Sequence, residues 1–398
     1  MGYSWKPEEV LYLLGIPYNG RRTEIYIKCP ACGGRRFSFN VAKGIGKCWN
    51  CSFGADSASY YAVSTGLSIN DARHDIENKL GITREGDRKS EVLPPRIVYN
   101  TSQPEAEKAS ADVLNATYMA FLAELGLTDK NRLALHGRGM DDDDYISTLN
   151  YKTFPRMDEI DYFALCRRLE KGGFSLQGVP GFFKTKNGSY TFVQLTKGII
   201  MPQRNYQNQI VGLQIRKDDD LRVFIEDKGE YEGKCGWFSS KNRNGGCPAN
   251  ADVHYACDWK YNTETNIYEP VCKNKAFALT EGIMKADLFH YFCPYVPVIS
   301  VPGVHALESL KRELVRLKED FGVETIMLAY DMDYQTNPNV QDAMEKTIAL
   351  IKEVGLNLEQ HNWETKIVVE NKVAGLANGI DDFLAFTLKG IVPQVHKK

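Results

Sequence analysis

The sequence predicts a multidomain α/β protein, with a small β-rich domain first, a mixed α+β region next and an α/β domain with a mostly parallel sheet last. Three observations support this fold class. Two CxxC pairs lie within the first 51 residues, short strand patterns dominate from about 175 to 275, and strand and helix patterns alternate from 276 onward. The 398 residues suffice for two or three domains. We expect domains at 1–82, 106–275 and 276–398, the last with a short C-terminal tail, and a linker rich in charge and proline at 83–105.

The first two predicted domains begin with recognisable short elements. EEVLYLLGI is typical of a short helix, and TEIYIKCP and RRFSFNVA alternate like strands. Two short helices separated at Gly66 follow, and ASADVLNATYMAFLAELGL predicts an amphipathic helix. The acidic run Asp141–Asp144 is typical of a solvated turn that begins a helix.

The last predicted domain alternates in a regular way. Strand patterns FALTEG, VPVISVPG, ETIMLAYDMD and TKIVVE alternate with helix patterns KADLFHYF, ALESLKRELVRLKEDF, VQDAMEKTIALIKEV and GIDDFLAFTL. Such an alternation is typical of an α/β unit in which successive strands lie parallel in one sheet.

Composition excludes several classes of protein. No apolar stretch approaches the roughly 18 residues of a membrane span, and mean hydropathy is −0.37. The start, MGYSWKPEEVLYLL, has two glutamates before a short apolar run, so we expect no secretory signal. Ten cysteines, four of them in CxxC pairs, favour metal binding over disulfides. We therefore expect a cytoplasmic protein with reduced thiols.

Charge is distributed unevenly along the chain. The net charge of −2 argues against a protein coated with basic surface for non-specific duplex binding. The first 56 residues hold eight Lys and Arg against four Asp and Glu, a net charge of +4, so the remainder has −6. A basic first domain on an acidic body is typical of a local nucleic-acid-binding surface.

The two CxxC pairs predict a zinc site. Cys29 and Cys32 are followed, after fifteen intervening positions, by Cys48 and Cys51. Two such pairs brought together by a hairpin complete a closed tetrahedral site of four sulfurs, in which the zinc is structural. The alternative is a chance group of free core cysteines.

Cations and aromatic rings alternate around the predicted zinc site. A protein that binds single-stranded nucleic acid needs cations that bind phosphates, placed beside rings that stack on bases. Phe37 and Phe39 are equally well explained as the core of a small domain. The candidates for contact with single-stranded DNA are Arg35, Arg36, Lys43 and Trp49.

The segment CPACGGRRFSFNVAKGIGKCWNCSFGADSASYYAVSTGLSINDA resembles the zinc-binding domain of bacterial DnaG-like primases. The shared features are the CP-xx ligand pair, the SF-x-V strand, the second pair and the following helix with its S-x-x-D-A segment. The resemblance covers most of residues 22–80. The second ligand of that family is often His, whereas this chain has Cys32, as the primase halves of phage primase-helicases do.

Carboxylates follow two strand patterns and precede the last helix pattern. The residues are Glu281 after FALT, Asp331 and Asp333 in AYDMD, and Asp381 and Asp382 in NGIDD. The carboxyl ends of parallel strands meet at one edge of a sheet, and Asp331 and Asp333, two residues apart, point the same way on an extended strand. Clustered carboxylates there can bind Mg²⁺, which neutralises phosphoryl charge.

This ordered set resembles the Toprim domain shared by DnaG-like primases, topoisomerases and a group of nucleases, over about 276–390. The combination of E-G-xx-K-A, V-P-G-V, D-x-D and G-x-D-D is similar to Toprim primases of phages and mobile elements. One departure concerns Lys285, where many such primases have an aspartate, and it leaves the number of metal ligands open. The expected order is thus a β zinc ribbon, a mixed α+β subdomain and a Toprim α/β subdomain.

The middle of the chain resembles the N-terminal half of the primase catalytic core. GIIMPQRNYQNQIVGLQIRKD is similar to its strand pair, and KCGWFSSKN to the strand that follows. The resemblance implies that Arg204, Arg216 and Lys241 face the metal site across a cleft and hold template phosphates or the incoming triphosphate. The alternative for each is a surface cation in a solvated hairpin.

A second zinc site is conceivable but is not favoured. The candidate ligands have irregular spacing and no CxxC pair, so free thiols are the better interpretation. The residues are Cys235, Cys247, His254, Cys257 and Cys272.

Together the resemblances imply a DNA primase, a nucleotidyltransferase of DNA replication that makes short RNA primers de novo from NTPs on single-stranded DNA. Mg²⁺ or Mn²⁺ would be bound by Glu281, Asp331 and Asp333, with Asp381 and Asp382 completing or supporting the metal shell. The sequence has no G-x-x-x-x-G-K-S/T loop, so a replicative helicase is expected as a partner in trans. The alternatives are a Toprim-type metal-dependent nuclease and a non-catalytic DNA-binding replication protein. A topoisomerase is less favoured because no tyrosine-bearing strand-passage module is evident.

Overall fold

The structure is a computed structural model that divides into two compact units, Met1–Thr101 and Ser102–Lys398. None of the described helices is both long and apolar enough to cross a membrane. Residues 83–104 of the predicted linker lie outside the described residues, as does Arg35. The described residues are 5–18, 24–34, 36–49, 51, 53–80, 105–185, 187–222, 224–225, 230–231, 233–302, 306–335, 337–370 and 372–393.

The first unit contains a four-stranded antiparallel sheet whose strands neighbour one another in chain order. Three helices accompany the sheet, and the predicted break at Gly66 is confirmed, because this glycine ends α2 with a φ of +73°. The elements are α1 Pro7–Leu13, β1 Glu24–Ile27, β2 Phe37–Asn40, β3 Ile45–Cys48, β4 Gly54–Asp56, α2 Ser57–Thr65 and α3 Ile69–Leu80.

Phe37 and Phe39 belong to the core of the first unit. Both rings are fully buried and pack against the ring of Tyr60, with ring centroids 5.0 and 5.1 Å away. The backbone of Gly46 contacts the Phe37 ring so closely that any side chain at this position would overlap the ring. The alternative in which these two rings stack on bases is therefore wrong: the small domain needs them for its own core.

The first half of the second unit packs helices against a small antiparallel sheet of order β12-β9-β8-β5. A cluster of aromatic rings, including Tyr118, Phe121, Phe192 and Phe238, fills the space beneath it. The acidic run begins α6 as predicted, since the Asp142 carboxylate accepts from the amides of Asp144 and Tyr145. The helices are α4 Ala111–Ala123, α5 Asp129–His136, α6 Asp143–Leu149 and α7 Tyr162–Lys171. The strands are β5 Lys152–Thr153, β6 Phe182–Lys184, β7 Tyr190–Phe192, β8 Gly198–Arg204, β9 Ile210–Lys217, β10 Phe224–Ile225, β11 Glu230–Tyr231 and β12 Cys235–Trp237.

The second half of this unit is an α/β fold around a five-stranded sheet of order β13-β17-β16-β18-β19. β13 pairs antiparallel with β17, and the other pairings are parallel, so the predicted fold class is confirmed. The strands are β13 His254–Ala256, β14 Trp259–Asn262, β15 Ile267–Pro270, β16 Ala276–Glu281, β17 Val298–Val301, β18 Thr325–Leu328, β19 Asn357–Gln360, β20 Lys366–Val369 and β21 Lys372–Leu376. The helices are α8 Ile283–Phe292, α9 Leu307–Glu319, α10 Pro338–Val354 and α11 Ile380–Lys389.

The edge of the parallel sheet differs from the prediction. TKIVVE does form a strand, β20, but it pairs antiparallel with β21 as a separate hairpin. The sheet instead ends with β19, whose sequence NLEQ has no apolar pattern. An edge strand buries little of its surface, so β19 lacks the apolar run by which a strand is predicted.

Candidate functional site

The four cysteines of the two CxxC pairs come together in the first unit. The sulfurs of Cys29 and Cys51 are 3.8 Å apart, and those of Cys32 and Cys48 are 3.7 Å apart. A zinc–sulfur distance of about 2.3 Å places the corners of a regular tetrahedron roughly 3.8 Å apart. The spacing of the sulfurs therefore fits zinc, and this group of four cysteines supports a structural zinc site.

The local backbone folds the first pair into a tight turn. Gly33 adopts a φ of +70°, and its amide donates to the carbonyl of Cys29 at 2.9 Å. The amide of Phe53 lowers the pKa of Cys51, but burial and the neighbouring thiols outweigh it and raise that pKa to about 12. Four thiolates at this spacing repel one another, so the site requires a cation to hold them ionised.

The face of the ribbon sheet opposite the core presents rings and cations. Tyr26, Ser38 and Lys47 are side by side in the strand register. The Trp49 ring is 68% exposed, its indole nitrogen is 3.4 Å from the Ser38 hydroxyl, and the Lys47 ammonium lies 5.7 Å from the ring centroid. Tyr26 is 62% exposed. The prediction missed Tyr26, although the alternation in EIYI places it on the outward face.

The other predicted cations of this unit lie at the surface. Arg36 is exposed, and its carbonyl accepts from the amide of Trp49 at 2.9 Å. Lys43 is exposed in the turn between β2 and β3, where its amide donates to the Asn40 side chain at 2.8 Å. The pairing of β2 with β3 thus brings Arg36 beside Trp49 at one end of the hairpin. Lys43 lies in the turn at the other end.

The predicted acidic residues of the second unit meet at the carboxyl edge of the parallel sheet. Glu281 ends β16, and Asp331 follows the neighbouring parallel strand β18 by three residues. The amide of Met332 donates to the carbonyl of Asn378 at 2.9 Å, which ties the D-x-D segment to the loop before Asp381. We name Glu281, Asp331, Asp333, Asp381 and Asp382 the carboxylate cluster.

Glu281 has a buried, unsatisfied oxygen, as Asp381 does at Oδ1. Its Oε1 atom is buried and has no hydrogen-bond partner among the described residues. Burial raises the pKa of Glu281 to about 7, and the nearby charges of Asp331 and Asp333 add to this effect. A buried acceptor without a donor is costly unless a cation or water satisfies it, so Glu281 is suited to bind a cation.

Lys285 places an ammonium group inside the carboxylate cluster. Its Nζ atom donates to both oxygens of Asp331, and both side chains are about one quarter exposed. Burial lowers the pKa of Lys285, but the charges of Asp331 and Asp381 raise it more, so the net shift is upward. Lys285 is therefore a charged member of this site.

Arg138, which the sequence did not point to, anchors the other side of the cluster. Its Nη2 atom donates to Asp381 Oδ2 at 2.6 Å, and the Asp381 side chain is only 2% exposed. Burial raises the pKa of Asp381, but Arg138 and Lys285 lower it more, so this carboxyl is ionised at neutral pH. Burial and the Asp381 charge raise the pKa of Asp382 to about 6.

Arg138 also adjoins a second group of cations. The Arg216 side chain, on β9, is 17% exposed and lies 3.7 Å from Asp219. Burial lowers the pKa of Arg216, as does the nearby guanidinium of Arg138, while the charge of Asp381 raises it. Desolvation and Arg216 likewise lower the pKa of Lys234. Arg138, Arg216 and Lys234, which we name the basic cluster, lie close enough to influence one another.

Arg204 and Lys241 are placed differently. The Arg204 guanidinium donates to the carbonyls of Thr148 and Asn208, both at 3.2 Å, and these bonds join the end of α6 to the turn between β8 and β9. Lys241 is exposed in the loop after β12, beside Asn242, whose amide donates to Glu105. These positions give Arg204 a structural task and link neither residue to the carboxylate cluster.

The cysteines suggested for a second zinc site do not gather. Among the described residues, Cys29, Cys32, Cys48 and Cys51 form the only group of three or more potential ligands with donor atoms all within 4.8 Å. His254 uses both ring nitrogens: Nδ1 accepts from the Arg204 amide at 3.0 Å, and Nε2 donates to buried Asp287 at 3.0 Å. Free thiols are therefore the correct interpretation for the described cysteines of the second unit.

The carboxylate cluster does not meet this distance criterion. In the described part of the chain, no three of its carboxylates bring oxygen atoms within 4.8 Å of one another. Asp331 is bound by Lys285 and Asp381 by Arg138. The cluster offers the oxygen donors that Mg²⁺ and Mn²⁺ prefer, but two of its members are held by side-chain cations.

Several solved structures are similar to this chain. The Aquifex aeolicus primase, with zinc-binding and RNA polymerase domains, aligns at a TM-score of 0.43 and 14% identity over 88% of this chain and 76% of that one. The E. coli primase catalytic core aligns at a TM-score of 0.40 and 12% identity over 72% and 85%. The primase fragment of the bacteriophage T7 primase-helicase aligns at a TM-score of 0.32 and 12% identity over 92% and 95%. No protein-family model and no curated protein matches the chain.

Proposed function

We propose that this protein is a DNA primase of the DnaG-like class that joins ribonucleotides on a single-stranded DNA template. The observation on which the proposal rests is the carboxylate cluster at the carboxyl edge of a parallel sheet, which includes the unsatisfied buried oxygen of Glu281. This edge is where α/β sheets bind ligands. Several negatively charged carboxylates buried together are costly without compensating cations.

Glu281, Asp331 and Asp333 would hold a divalent cation. When bound, Mg²⁺ or Mn²⁺ would neutralise phosphoryl charge and make the attacking hydroxyl more acidic. Asp381, fixed by Arg138, and Asp382 would support this shell from the start of α11. Their role would be to orient the ligands, since α11 fixes the backbone on which both aspartates stand.

The basic cluster would bind the phosphates of the substrates. In the reaction, the 3′ oxygen of one nucleotide forms a bond to the α-phosphorus of an incoming NTP. The bond between the α- and β-phosphates breaks, pyrophosphate leaves and the hydroxyl proton passes to solvent. Arg138 and Arg216 offer paired N–H donors suited to phosphate oxygens, and both are partly desolvated, which strengthens such contacts.

The first unit would bind the template. Zinc would fix the sheet on which Trp49, Tyr26 and Lys47 are exposed, and rings beside a cation suit stacked bases and a phosphate backbone. Because this unit is basic and the rest of the chain acidic, the template would be attracted to this part of the molecule. We further propose a replicative helicase as a partner in trans.

The test is de novo synthesis by the full-length protein on single-stranded DNA of mixed sequence, with labelled NTPs and Mg²⁺ or Mn²⁺. We expect short products from the wild type, none from Asp331→Ala/Asp333→Ala, and wild-type yield from the exposed control Asp320→Ala/Asp342→Ala. Metal-dependent cleavage of the DNA without synthesis would instead establish a nuclease. DNA binding with neither activity would support a non-catalytic replication protein.

A further inference from the structure

Lys285 stands at the point where a cation is expected in the carboxylate cluster. Gly282 turns the chain with a φ of +80°, and α8 begins immediately afterwards. The first turn of α8 therefore directs Lys285 back toward the carboxyl edge where Glu281 ends its strand. Its ammonium donates to both oxygens of Asp331, so a predicted metal ligand is already neutralised by the protein.

The surroundings of Gly379 show that the end of Lys285 lies near both Asp331 and Asp381. A side chain at Gly379 would overlap Asp381 Oδ1, and its first carbon would lie 3.3 Å from Lys285 Cε and 3.5 Å from Asp331 Oδ1. The end of Lys285, Asp331 and Asp381 therefore converge on one glycine. The Lys285 ammonium therefore occupies the position beside Asp331 that an ion would otherwise take.

Charge balance leads to the same conclusion. If only the carboxylates and the cations bonded to them are counted, all ionised, the five carboxylates with Lys285 and Arg138 carry a net charge of −3. One divalent ion reduces this to −1, whereas a second would make the site positive before any anionic substrate binds. An aspartate in place of Lys285 would give −5, which two divalent ions would bring to the same −1.

We propose that Lys285 is a built-in cation that takes the place of one divalent ion, so that the carboxylate cluster binds a single Mg²⁺ or Mn²⁺. We place the remaining position at Glu281, whose buried Oε1 lacks a donor among the described residues, as Asp381 Oδ1 does. This inference rests on the proposed function, because it specifies how the cation site of that function is filled. Lys285 is thus a positioning residue that holds Asp331 in its orientation.

The test counts bound Mn²⁺ on the full-length, zinc-loaded protein by electron paramagnetic resonance, and it needs no activity. Sites of the cluster are those lost in Asp331→Ala/Asp333→Ala, which removes weak binding elsewhere on the acidic surface from the count. We expect one such site in the wild type, one in Lys285→Arg and two in Lys285→Asp. The charge-matched control Lys275→Asp should keep one site, since Lys275 precedes β16 at the opposite end of that strand and pairs with exposed Glu324.

A second variant covers the case in which Lys285→Asp does not fold, as judged by circular dichroism. Lys285→Met removes the charge at similar length, frees Asp331, and should bind the single ion at least tenfold more tightly than the wild type. Two cluster sites in the wild type, one in a folded Lys285→Asp, or unchanged affinity in Lys285→Met would overturn the inference. No cluster site in the wild type would instead overturn the proposed metal-dependent function itself.

Discussion

At the scale of single residues, the carboxylate cluster depends on partners that are distant in sequence. Arg138 and Asp381 are 243 positions apart, and no motif surrounds Arg138, so the sequence offers no signal for this pair. Glu281, Asp331 and Asp381 were identifiable because each stands beside a strand or helix pattern. The resemblance to the primase core implied that Arg204 faces the cleft, whereas its guanidinium bonds the end of α6 to the turn between β8 and β9. A resemblance between strand sequences does not show which way a side chain on the strand bonds.

Arg138→Ala should lower the free energy of unfolding of the second unit by roughly 2–4 kcal/mol, because it leaves the buried Asp381 carboxylate without its partner. Urea denaturation measures this change. Arg156→Ala is the matched control, since its ion pair with Asp158 is exposed and should contribute less than about 1 kcal/mol. Asp381→Asn in the Arg138→Ala background should restore part of the loss. An effect of Arg138→Ala no larger than that of the control would contradict the anchoring role.

The raised pKa of Glu281 predicts a pH-dependent stability in buffer without divalent ions. The pKa of this carboxyl rises from 4.5 in the unfolded chain to about 7 in the folded protein, so its contribution to the stability of the fold is fully present below pH 4.5. That contribution is lost as the pH rises through about 7. Compared with Glu281→Gln, the wild type should therefore lose stability between pH 5 and pH 8 in thermal denaturation. Glu353→Gln, which changes an exposed glutamate, is the control. If the stabilities of the wild type and Glu281→Gln change with pH in the same way, Glu281 does not titrate in this range.

At the scale of elements, periodicity predicted most of the fold. The helices of the first unit, the capped start of α6 and the parallel strands β16 to β18 follow apolar patterns that packing requires. β19 escaped prediction because an exposed edge strand has no apolar pattern, and the apolar β20 was misplaced because it packs as a hairpin. The periodicity of β2 fixed which residues share a face but not which face is the core.

The two faces of the ribbon sheet should respond differently to substitution. Phe37→Ala should lower the free energy of unfolding by about 3–5 kcal/mol, since the ring is fully buried. Trp49→Ala should leave stability nearly unchanged but weaken binding of single-stranded DNA roughly 5- to 100-fold, the loss of one stacked base. Thermal denaturation and fluorescence anisotropy with a labelled oligonucleotide measure the two effects.

Tyr12→Ala is the control for the loss of an exposed ring, because Tyr12 is 48% exposed on α1 and away from the strands. It should change neither stability nor DNA affinity appreciably. Equal loss of DNA affinity in Tyr12→Ala and Trp49→Ala would indicate that the sheet face is not the binding surface.

At the scale of the whole molecule, two kinds of chemistry lie in two compact units. Met1–Thr101 holds the sulfur ligands and the exposed rings, and Ser102–Lys398 holds the carboxylate cluster with the basic cluster. The sequence assigned the sulfur ligands and the acidic residues to different domains because CxxC pairs and acidic residues after strands are local signals. The lysine that enters the carboxylate cluster was visible as a departure from the family pattern, but only the side-chain geometry assigns it a place.

The proposed primase activity requires the second unit to copy a template. The most direct measurement supplies one defined single-stranded oligonucleotide at a time, with all four NTPs and Mn²⁺, and sequences every product longer than a dinucleotide. We expect short RNAs that are complementary to the oligonucleotide, that change when the template changes and that are absent with Asp331→Ala/Asp333→Ala. Products independent of the template, or equal synthesis by that variant, would contradict the proposed activity.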